Sequence, residues 1–486
     1  MDRALAFQST SVLAEMIRSR KISSEELTAF YLGRIEKFNG KINAVVAMDA
    51  DRALAQAKAA DAQLAAGGDV GPLHGVPFTI KDSFEFAGLP TTAGAPELAG
   101  HIPKKNAVAV ELLRRAGAVI IGKTNVPLYA GDLQSYNEVY GQTNNPYRLD
   151  RTCGGSSGGA AATLAAGLAG GEIGSDIGGS IRTPAHFNGI FGLKTSFGLV
   201  SRTGHIPPPP GYAAVTDLSV AGPLGRSADD LDLLLNVLAQ PEPTEPAWQV
   251  VLPEPRTRNA SELRIAVWSD DPSSPVEAEI RKAVEEAGTA LKAAGAQVDF
   301  DARPDFTFAS SAEIYEILLG AIMSSGLPRK VIDRLIASAD SFDQDDKSHQ
   351  ALQARGAALR HFESLALLAK REGIKAKWAA FFQTYDAVLC PVSITTAFEH
   401  DHNPNFHARR LTINGVSRPY MDVIDWAGPA VVAHLPAASA PVTINDDGVP
   451  IGVQIIGPLQ EDRTVTQVAR EIEKAFGGFQ PPAGFD

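Results

Sequence analysis

Cysteine is scarce in this sequence: among 486 residues only Cys153 and Cys390 are cysteines. Two cysteines cannot build a disulfide framework, so we interpret both as reduced thiols. The sequence also lacks any apolar run near the roughly 20 residues that span a bilayer, and the first 23 residues lack the apolar centre of a signal peptide. These absences predict a cytoplasmic protein with no membrane partner.

Blocks of lysine and arginine are absent as well. The chain carries 44 basic and 56 acidic residues, for a formal net charge of −12, and no basic block marks a nucleic-acid-binding surface. The motifs G-x-x-x-x-G-K-[ST] and G-x-G-x-x-G, which bind phosphates and dinucleotides, do not occur. We therefore expect no nucleic acid partner, and a small neutral or cationic molecule is the more natural substrate.

Glycine, by contrast, is concentrated in two turns that each contain serine. The first turn, GGSSGG, covers residues 154–159 and holds Ser156, and the second, GSDIGGS, covers residues 174–180 and ends at Ser180. Glycine permits backbone conformations and close approaches that a Cβ would obstruct. Residues 160–168 between the turns are nearly all small or aliphatic, which predicts a narrow helix packed against a sheet. Consecutive N–H groups in the second turn, ahead of a helix predicted to begin near Ile181, would suit a developing oxyanion.

A serine nucleophile needs a base, and Lys81 is a candidate for that role. The segment HGVPFTIKD, residues 74–82, reads as a short apolar strand that ends at Lys81. Burial of a lysine without a carboxylate partner lowers its pKa from about 10.4 toward the range in which the neutral amine is a base. For this reason we expect Asp82 to point away from Lys81, and Asp176 to form an ion pair with Arg182.

Taken together, HGVPFTIKD, GGSSGG and GSDIGGSIRTPA resemble the motifs of the amidase signature hydrolases. They occur in the family's order, with 75 positions from Lys81 to Ser156 and 24 from Ser156 to Ser180. The resemblance continues into LPAASAPV and GVPIGVQIIGP near the carboxyl terminus, and covers most of the chain except about 250–425. Cys153 stands where proline often precedes GGSSGG, a departure that does not touch the three motif residues.

The resemblance implies a Ser-cisSer-Lys triad. In it, Ser180 is the nucleophile that accepts the acyl group, Ser156 is the bridging serine and Lys81 is the base. The same resemblance implies an oxyanion hole made by the backbone N–H groups of Ile177, Gly178, Gly179 and Ser180. It further implies a substrate wall that contains Ala130, Gly131 and Asp132, although Asp132 would equally serve as a cap for local backbone. Water completes the reaction, and neither a metal nor an organic cofactor is implied.

Alternating helices and short apolar runs predict a single large α/β domain, with a mixed twisted sheet surrounded by helices. Within it we expect an N-terminal helical part (1–68), a catalytic core (69–245), a variable helical region that covers the substrate (250–425) and a C-terminal return to the core (426–486). Long helices are predicted at 312–323 and 348–382, and strands at 263–268 and 386–391. A homodimer is compatible with this organisation.

The predicted activity is hydrolysis of a carboxylic amide, and anilides, esters or carbamates are further candidate substrates of the same machinery. Two alternatives remain open. The chain would also fit the amidase-like subunit of a tRNA-dependent amidotransferase. In addition, Gly154-x-Ser156-x-Gly158 satisfies the nucleophile-elbow pattern of Ser-His-acid hydrolases, for which the available histidines are His205, His349, His361 and His434. His400, His402 and His407 also form a group, which we interpret as a solvated loop rather than a metal site.

Overall fold

An eight-stranded mixed sheet forms the centre of the molecule in a computed structural model, which describes residues 3–211, 216–245 and 247–486. The helices are α1 (Arg3–Ala6), α2 (Thr10–Arg18), α3 (Ser24–Ile42), α4 (Ala50–Ala65), α5 (Val108–Arg115), α6 (Gly158–Ala165), α7 (Arg182–Phe187), α8 (Ala228–Leu238), α9 (Ala278–Ala293), α10 (Phe308–Ser324), α11 (Arg329–Ala339), α12 (His349–Ala358), α13 (His361–Phe381), α14 (Gly428–Val432) and α15 (Asp462–Phe476). The strands are β1 (Val45–Met48), β2 (Pro77–Lys81), β3 (Val119–Thr124), β4 (Tyr136–Asn137), β5 (Gly141–Gln142), β6 (Glu172–Asp176), β7 (Phe191–Lys194), β8 (Val220–Gly225), β9 (Arg264–Val267), β10 (Gln297–Asp299), β11 (Ala387–Pro391), β12 (Arg410–Ile413), β13 (Val416–Pro419), β14 (Ala437–Ile444) and β15 (Pro450–Ile456).

The strand order of the large sheet is β10-β9-β11-β15-β14-β7-β8-β6. Strand β9 pairs in parallel with β10 and β11, whereas the pairs from β11 to β6 are antiparallel. Three of these strands, β9, β10 and β11, come from the 250–425 region, so that region builds part of the sheet besides supplying helices. The predicted α/β class, with one mixed sheet and flanking helices, is confirmed.

A smaller sheet, of order β1-β3-β2, carries Lys81 at the end of β2. It meets the large sheet where Phe78 bridges to Gly171 in the parallel sense and the Thr79 N–H donates to Gly171 O at 3.3 Å. A Cβ on Gly171 would lie 2.3 Å from the Phe78 ring, so the close approach requires glycine. This junction brings the last residue of β2 beside the last residues of β6.

Helix α6 fills the space between the two glycine-rich turns, as predicted from its small residues. All eight of its residues are buried. A Cβ on Gly159 would lie 2.4 Å from the backbone nitrogen of Asn125, which shows how closely α6 packs on the chain that leaves β3. The small-residue composition of this helix is therefore a packing requirement.

Local end signals placed several helices correctly. Ser23 caps α3 and forms a capping box with Glu26, because each residue accepts a bond from the other's backbone N–H at 2.9–3.0 Å. The single helix predicted over 348–382 is wrong in one respect: α12 ends at Ala358 and α13 begins at His361. Between them the Arg360 N–H donates to the Glu363 carboxylate at 2.8 Å, which starts a new helix.

Helix α10 and the 3-10 helix Tyr420–Ala427 lie over the second glycine-rich turn. The Tyr315 hydroxyl donates to Ile177 O at 3.1 Å, and a Cβ on Gly178 would lie 3.1 Å from that hydroxyl oxygen. The same Cβ would lie 3.7 Å from Cγ2 of Ile424. Within the described ranges, no helix combines the length and the hydropathy needed to cross a membrane.

Candidate active site

Lys81 is fully buried where β2 ends, and hydroxyl groups surround its amine. The Nζ atom lies 2.7 Å from Ser156 Oγ and 2.9 Å from Ser175 Oγ, with Ser175 O at 3.5 Å. The structure thus brings the lysine of the first motif into direct contact with a serine of the second. A buried amine whose near neighbours are hydroxyls is stabilised as the neutral form more than one paired with a carboxylate.

Burial is the main cause that lowers the pKa of Lys81, from its usual 10.5 to about 7. Asp176 acts in the opposite direction, and the positive charge of Arg202 contributes a further lowering. A pKa near neutrality makes Lys81 a usable proton acceptor at physiological pH. The electrostatics therefore fit the requirement derived from the sequence.

The turn that contains Ser156 is held by backbone contacts on both sides. The peptide bond between Gly155 and Ser156 is cis. A Cβ on Gly155 would lie 2.6 Å from Asp132 O, and the Ser157 N–H donates to Ser180 O at 3.1 Å. The first turn is thus packed against the loop at 130–134 and hydrogen-bonded to the backbone of Ser180.

Ser180 stands in the second turn, immediately ahead of α7, and is 5% exposed. Gly179 has φ +91°, and its N–H donates to Asp176 Oδ1 at 2.9 Å. The Ile181 N–H donates to Asp176 Oδ2 at 3.0 Å. One carboxylate therefore holds the backbone on both sides of Ser180.

The predicted ion pair between Asp176 and Arg182 is confirmed, with 2.8 Å between Oδ1 and the guanidinium and both side chains fully buried. Burial alone would raise the pKa of Asp176, but the Arg182 charge and its hydrogen bonds hold that pKa at about 2. Arg182 also donates to Ala427 O and to Gln454 Oε1, which ties α7 to the 3-10 helix and to β15. The second turn is consequently a rigid element.

Asp82 points away from Lys81, as predicted. Its Oδ1 lies 3.1 Å from Lys123 Nζ, and its Oδ2 accepts from the Thr92 hydroxyl at 2.6 Å and the Thr92 N–H at 3.1 Å. The carboxylate next to Lys81 in sequence is therefore paired with a different lysine.

His205 is a residue of the site that the sequence suggested only as a base for Ser156. Its Nε2 lies 2.8 Å from Ser175 Oγ, so it reaches Lys81 through Ser175 rather than contacting the first motif serine. The other three histidines of the nucleophile-elbow hypothesis have different partners. His349 contacts Glu316 and Asp422, His434 contacts Asp217, and His361 is the exposed first residue of α13.

Asp132 is buried, and its carboxylate is engaged with residues far away in sequence. Its Oδ2 lies 2.8 Å from Arg409, and its Oδ1 accepts from the Tyr420 hydroxyl at 2.6 Å. Its Oδ1 also accepts from the Leu133 N–H at 2.7 Å, the local capping contact that the sequence left open. Gly131 is half-buried, and a Cβ on it would lie 3.7 Å from Met323 of α10.

Among the described residues, one group has the spacing to hold a metal ion: Glu316, His349 and Asp425. His349 Nδ1 lies 2.6 Å from Glu316 and its Nε2 lies 2.9 Å from Asp422, and despite burial these carboxylates raise the pKa of His349 to about 11. Arg418 also pairs with Asp422, at 2.7 Å, and burial raises the pKa of Asp425 to about 8. Two cations of the protein itself therefore face these carboxylates. In the loop interpreted as solvated, His402 stacks on Tyr136 with ring centres 3.7 Å apart.

With this geometry established, comparison with known proteins gives a consistent result. The family model "Amidase" matches residues 26–466. The chain belongs to the amidase family. A glutamyl-tRNA(Gln) amidotransferase subunit from Nostoc punctiforme (strain ATCC 29133 / PCC 73102) is 31% identical over 487 residues, which is 95% of this chain and 96% of that protein.

Solved structures support the same membership. One of them is 27% identical to this chain. It comes from an inhibitor-bound complex described as a vestigial protein complex that reveals the evolutionary origins of an s-triazine catabolic enzyme. It superposes with a TM-score of 0.81, over 97% of this chain and 99% of that one. A crystal structure of an amidase, also 27% identical, gives a TM-score of 0.77 over 97% and 100%. This amidase thus shares one fold with both along nearly its whole length.

Proposed function

We propose that this amidase hydrolyses a carboxylic amide through an acyl-enzyme on Ser180, with Lys81 as the base and Ser156 as the bridge. The observation that carries the proposal is the 2.7 Å contact between Lys81 Nζ and Ser156 Oγ in a fully buried setting, combined with the pKa of Lys81 of about 7. A serine hydroxyl alone is a weak nucleophile and requires such a base.

In the acylation step, the Ser180 Oγ–carbon bond forms as its proton passes to Ser156 Oγ, whose own proton passes to Lys81 Nζ. The carbonyl oxygen takes up the negative charge. Collapse of the tetrahedral intermediate breaks the carbon–nitrogen bond, while Lys81 returns a proton through Ser156 to the leaving nitrogen. One proton pathway thus serves both the nucleophile and the poor leaving group. Water then attacks the ester on Ser180, which releases the acid and restores the free hydroxyl.

For the oxyanion we propose the N–H groups of Ile177, Gly178 and Ser180. The N–H of Gly179, which the sequence also indicated, is already directed at Asp176 Oδ1 at 2.9 Å. We therefore assign Gly179 to shaping the turn: its φ of +91° and its close neighbour Thr183 both exclude a side chain. Backbone donors fixed in this way need no reorganisation when the charge develops.

Because these donors would bind the carbonyl oxygen rather than the leaving atom, anilides, esters and carbamates fall within the proposed chemistry. Ala130 and Gly131 are proposed to border the scissile group, beside the Ser156 turn. We assign Asp132 to supporting this wall from behind, since its carboxylate is held by Arg409 and Tyr420. The 250–425 region is proposed to cover the substrate, and both a homodimer and a cytoplasmic location remain predictions.

A second candidate function is that of an amidotransferase component, and the 31% identity to the glutamyl-tRNA(Gln) amidotransferase subunit favours it. In that case the same serine chemistry would release ammonia for a partner protein. The purified chain would then need a partner for full activity. If the chain alone hydrolyses amides without ATP or tRNA, that result favours the stand-alone hydrolase over the amidotransferase component.

The test is hydrolysis of a panel of aryl amides and matching esters by the wild type, Ser180→Ala and Lys81→Ala, with mass spectrometry for an acyl adduct. We expect both variants to lose at least about 10³-fold in amide turnover, and the adduct to lie on Ser180. Ser24→Ala, which removes another buried hydroxyl bonded to Gly75 O at 2.8 Å, is the control and should retain turnover. An adduct on Ser156 would contradict the assignment.

A further inference from the structure

A chain of short contacts leads from Lys81 through a second serine, Ser175. Lys81 Nζ lies 2.9 Å from Ser175 Oγ, and Ser175 Oγ lies 2.8 Å from His205 Nε2. The other ring nitrogen, Nδ1, lies 2.8 Å from a guanidinium nitrogen of Arg202. Four residues on three segments are thus linked in one line that ends on the proposed base.

The loop that contributes His205 is fixed to the segment that follows Lys81. The Ile206 N–H donates to Ser83 O at 2.7 Å, the Glu85 N–H donates to Gly204 O at 2.8 Å, and the His205 ring packs edge-on against Phe84 with centres 4.8 Å apart. His205 is therefore held at a defined distance from the end of β2.

The contact with Arg202 at the far end of this line indicates which nitrogen of the His205 ring carries the proton. Two groups lie near His205 Nδ1: the Arg202 guanidinium nitrogen at 2.8 Å and Pro207 O at 3.1 Å. A guanidinium has only donors, and a second N–H would not approach it to 2.8 Å, so we assign Nδ1 as the acceptor from Arg202. The same Arg202 nitrogen donates to Pro207 O at 3.1 Å. In a neutral imidazole the proton is then on Nε2, which donates to Ser175 Oγ. With its oxygen accepting from His205, Ser175 can direct its own proton at Lys81 Nζ, 2.9 Å away.

The charged groups near this line are consistent with a neutral His205 ring and a protonated Arg202. Burial lowers the pKa of His205 well below 6.5, with Arg202, Lys81 and Lys123 acting in the same direction, so the ring is neutral. Burial lowers the pKa of Arg202 to about 10, which keeps it protonated at neutral pH. The acidic groups that act on Lys81 are Asp176 and Glu172, and Asp82 is paired with Lys123.

We propose that Arg202 and His205 are positioning residues that set the polarity of this line, so that Ser175 donates to Lys81 and holds it as the neutral amine. The line moves no proton. A neutral amine has one lone pair, so the Nζ group first turns about the Cε–Nζ bond to direct that lone pair at Ser156. The Ser175 hydroxyl proton then loses its acceptor, and Lys81 takes the proton of Ser156. The ammonium form is disfavoured for that reason. This inference rests on the proposed role of Lys81.

The test is the pH dependence of kcat/KM for an aryl amide, measured for the wild type, His205→Leu, His205→Gln and Arg202→Met. We expect His205→Leu to move the acid limb to higher pH by about one pH unit, the effect of about one hydrogen bond. Arg202→Met should move the limb in the same direction, but it also removes a charge that lowers the pKa of Lys81, so the two His205 variants decide the inference. Activity should fall about tenfold below pH 7 and return to near the wild-type plateau above pH 9. His205→Gln should restore the wild-type limb, because an amide can accept from Arg202 and donate to Ser175.

His74→Leu is the matched control, since His74 is also buried but its Nε2 lies 2.9 Å from Ala60 O, outside the line of contacts to Lys81. It should leave the position of the limb unchanged. A loss in His205→Leu that is equal at all pH values, an unmoved limb, or a Gln variant as impaired as the Leu variant would each overturn the inference. If instead Lys81→Ala retains wild-type turnover, the proposed function itself fails.

Discussion

Lowering the pH below about 7 should switch off amide hydrolysis, because Lys81 then becomes an ammonium. With a pKa of about 7, roughly three quarters of Lys81 is neutral at pH 7.5, whereas at the usual 10.5 only about one part in a thousand would be neutral. Burial thus increases the amount of active base by nearly three orders of magnitude. Below pH 7 the rate should fall tenfold for each pH unit, and above pH 8 it should be level.

The assay is kcat/KM for an aryl amide and its matched ester from pH 5 to 10, with every sample re-assayed at pH 8 to exclude unfolding. Lys81→Arg retains a cation but cannot deprotonate in this range, so it should be inactive at every pH. Lys194 is the matched control: burial also lowers its pKa to about 7, but its Nζ donates to Leu435 O and Thr195 O. Lys194→Met should keep the acid limb near pH 7. A rate that is flat or falls between pH 5.5 and 7.5 would refute the lysine base.

Two further variants separate chemistry from stability. Ser156→Ala should reduce amide hydrolysis by about 10²- to 10⁴-fold. Ester hydrolysis should fall less, since only the amine must be protonated to leave. Equal losses on the two matched substrates would argue against the bridging role. Arg182→Met leaves the Asp176 carboxylate buried without its partner, and should lower the free energy of unfolding by about 3–5 kcal/mol. The measurement is the melting temperature, which should fall. A melting temperature within one degree of wild type would contradict the pairing.

The parts of the site that depend on local sequence were predictable. The strand that ends at Lys81, the two turns and the capped start of α3 follow from short patterns of glycine, apolar residues and hydrogen-bonding side chains. The pairing of Asp176 with Arg182 was also accessible, because the two residues are six positions apart at the start of a helix. Such short patterns determine the local backbone conformation without contacts to distant residues.

Contacts between distant segments were not predictable from single-sequence patterns. Asp132 pairs with Arg409 across 277 positions, and no periodicity relates the two. Ser175 belongs to the second glycine-rich motif and lies in β6, and its contact with Lys81 depends on β2 lying beside β6. The alternation of side chains along a strand indicates which face of β6 a residue occupies. Which residues pack against that face depends on how the strands are arranged in space. His205 required, in addition, the loop pairing at residues 83–85.

The distribution of charge explains how the pKa of Lys81 is lowered to about 7 although several ionised groups are buried nearby. Of the acidic groups near Lys81, Asp176 is paired with Arg182 and Asp82 with Lys123. Glu172 accepts from Thr79 at 2.5 Å, and burial raises its pKa to about 8, so near pH 7 it is largely protonated. Each of these carboxyl groups is thus either paired with another basic residue or largely protonated, and the side chains in contact with Lys81 Nζ are hydroxyls. Since a free carboxylate in this shell would favour the ammonium, the buried ion pairs are part of what makes the proposed base available.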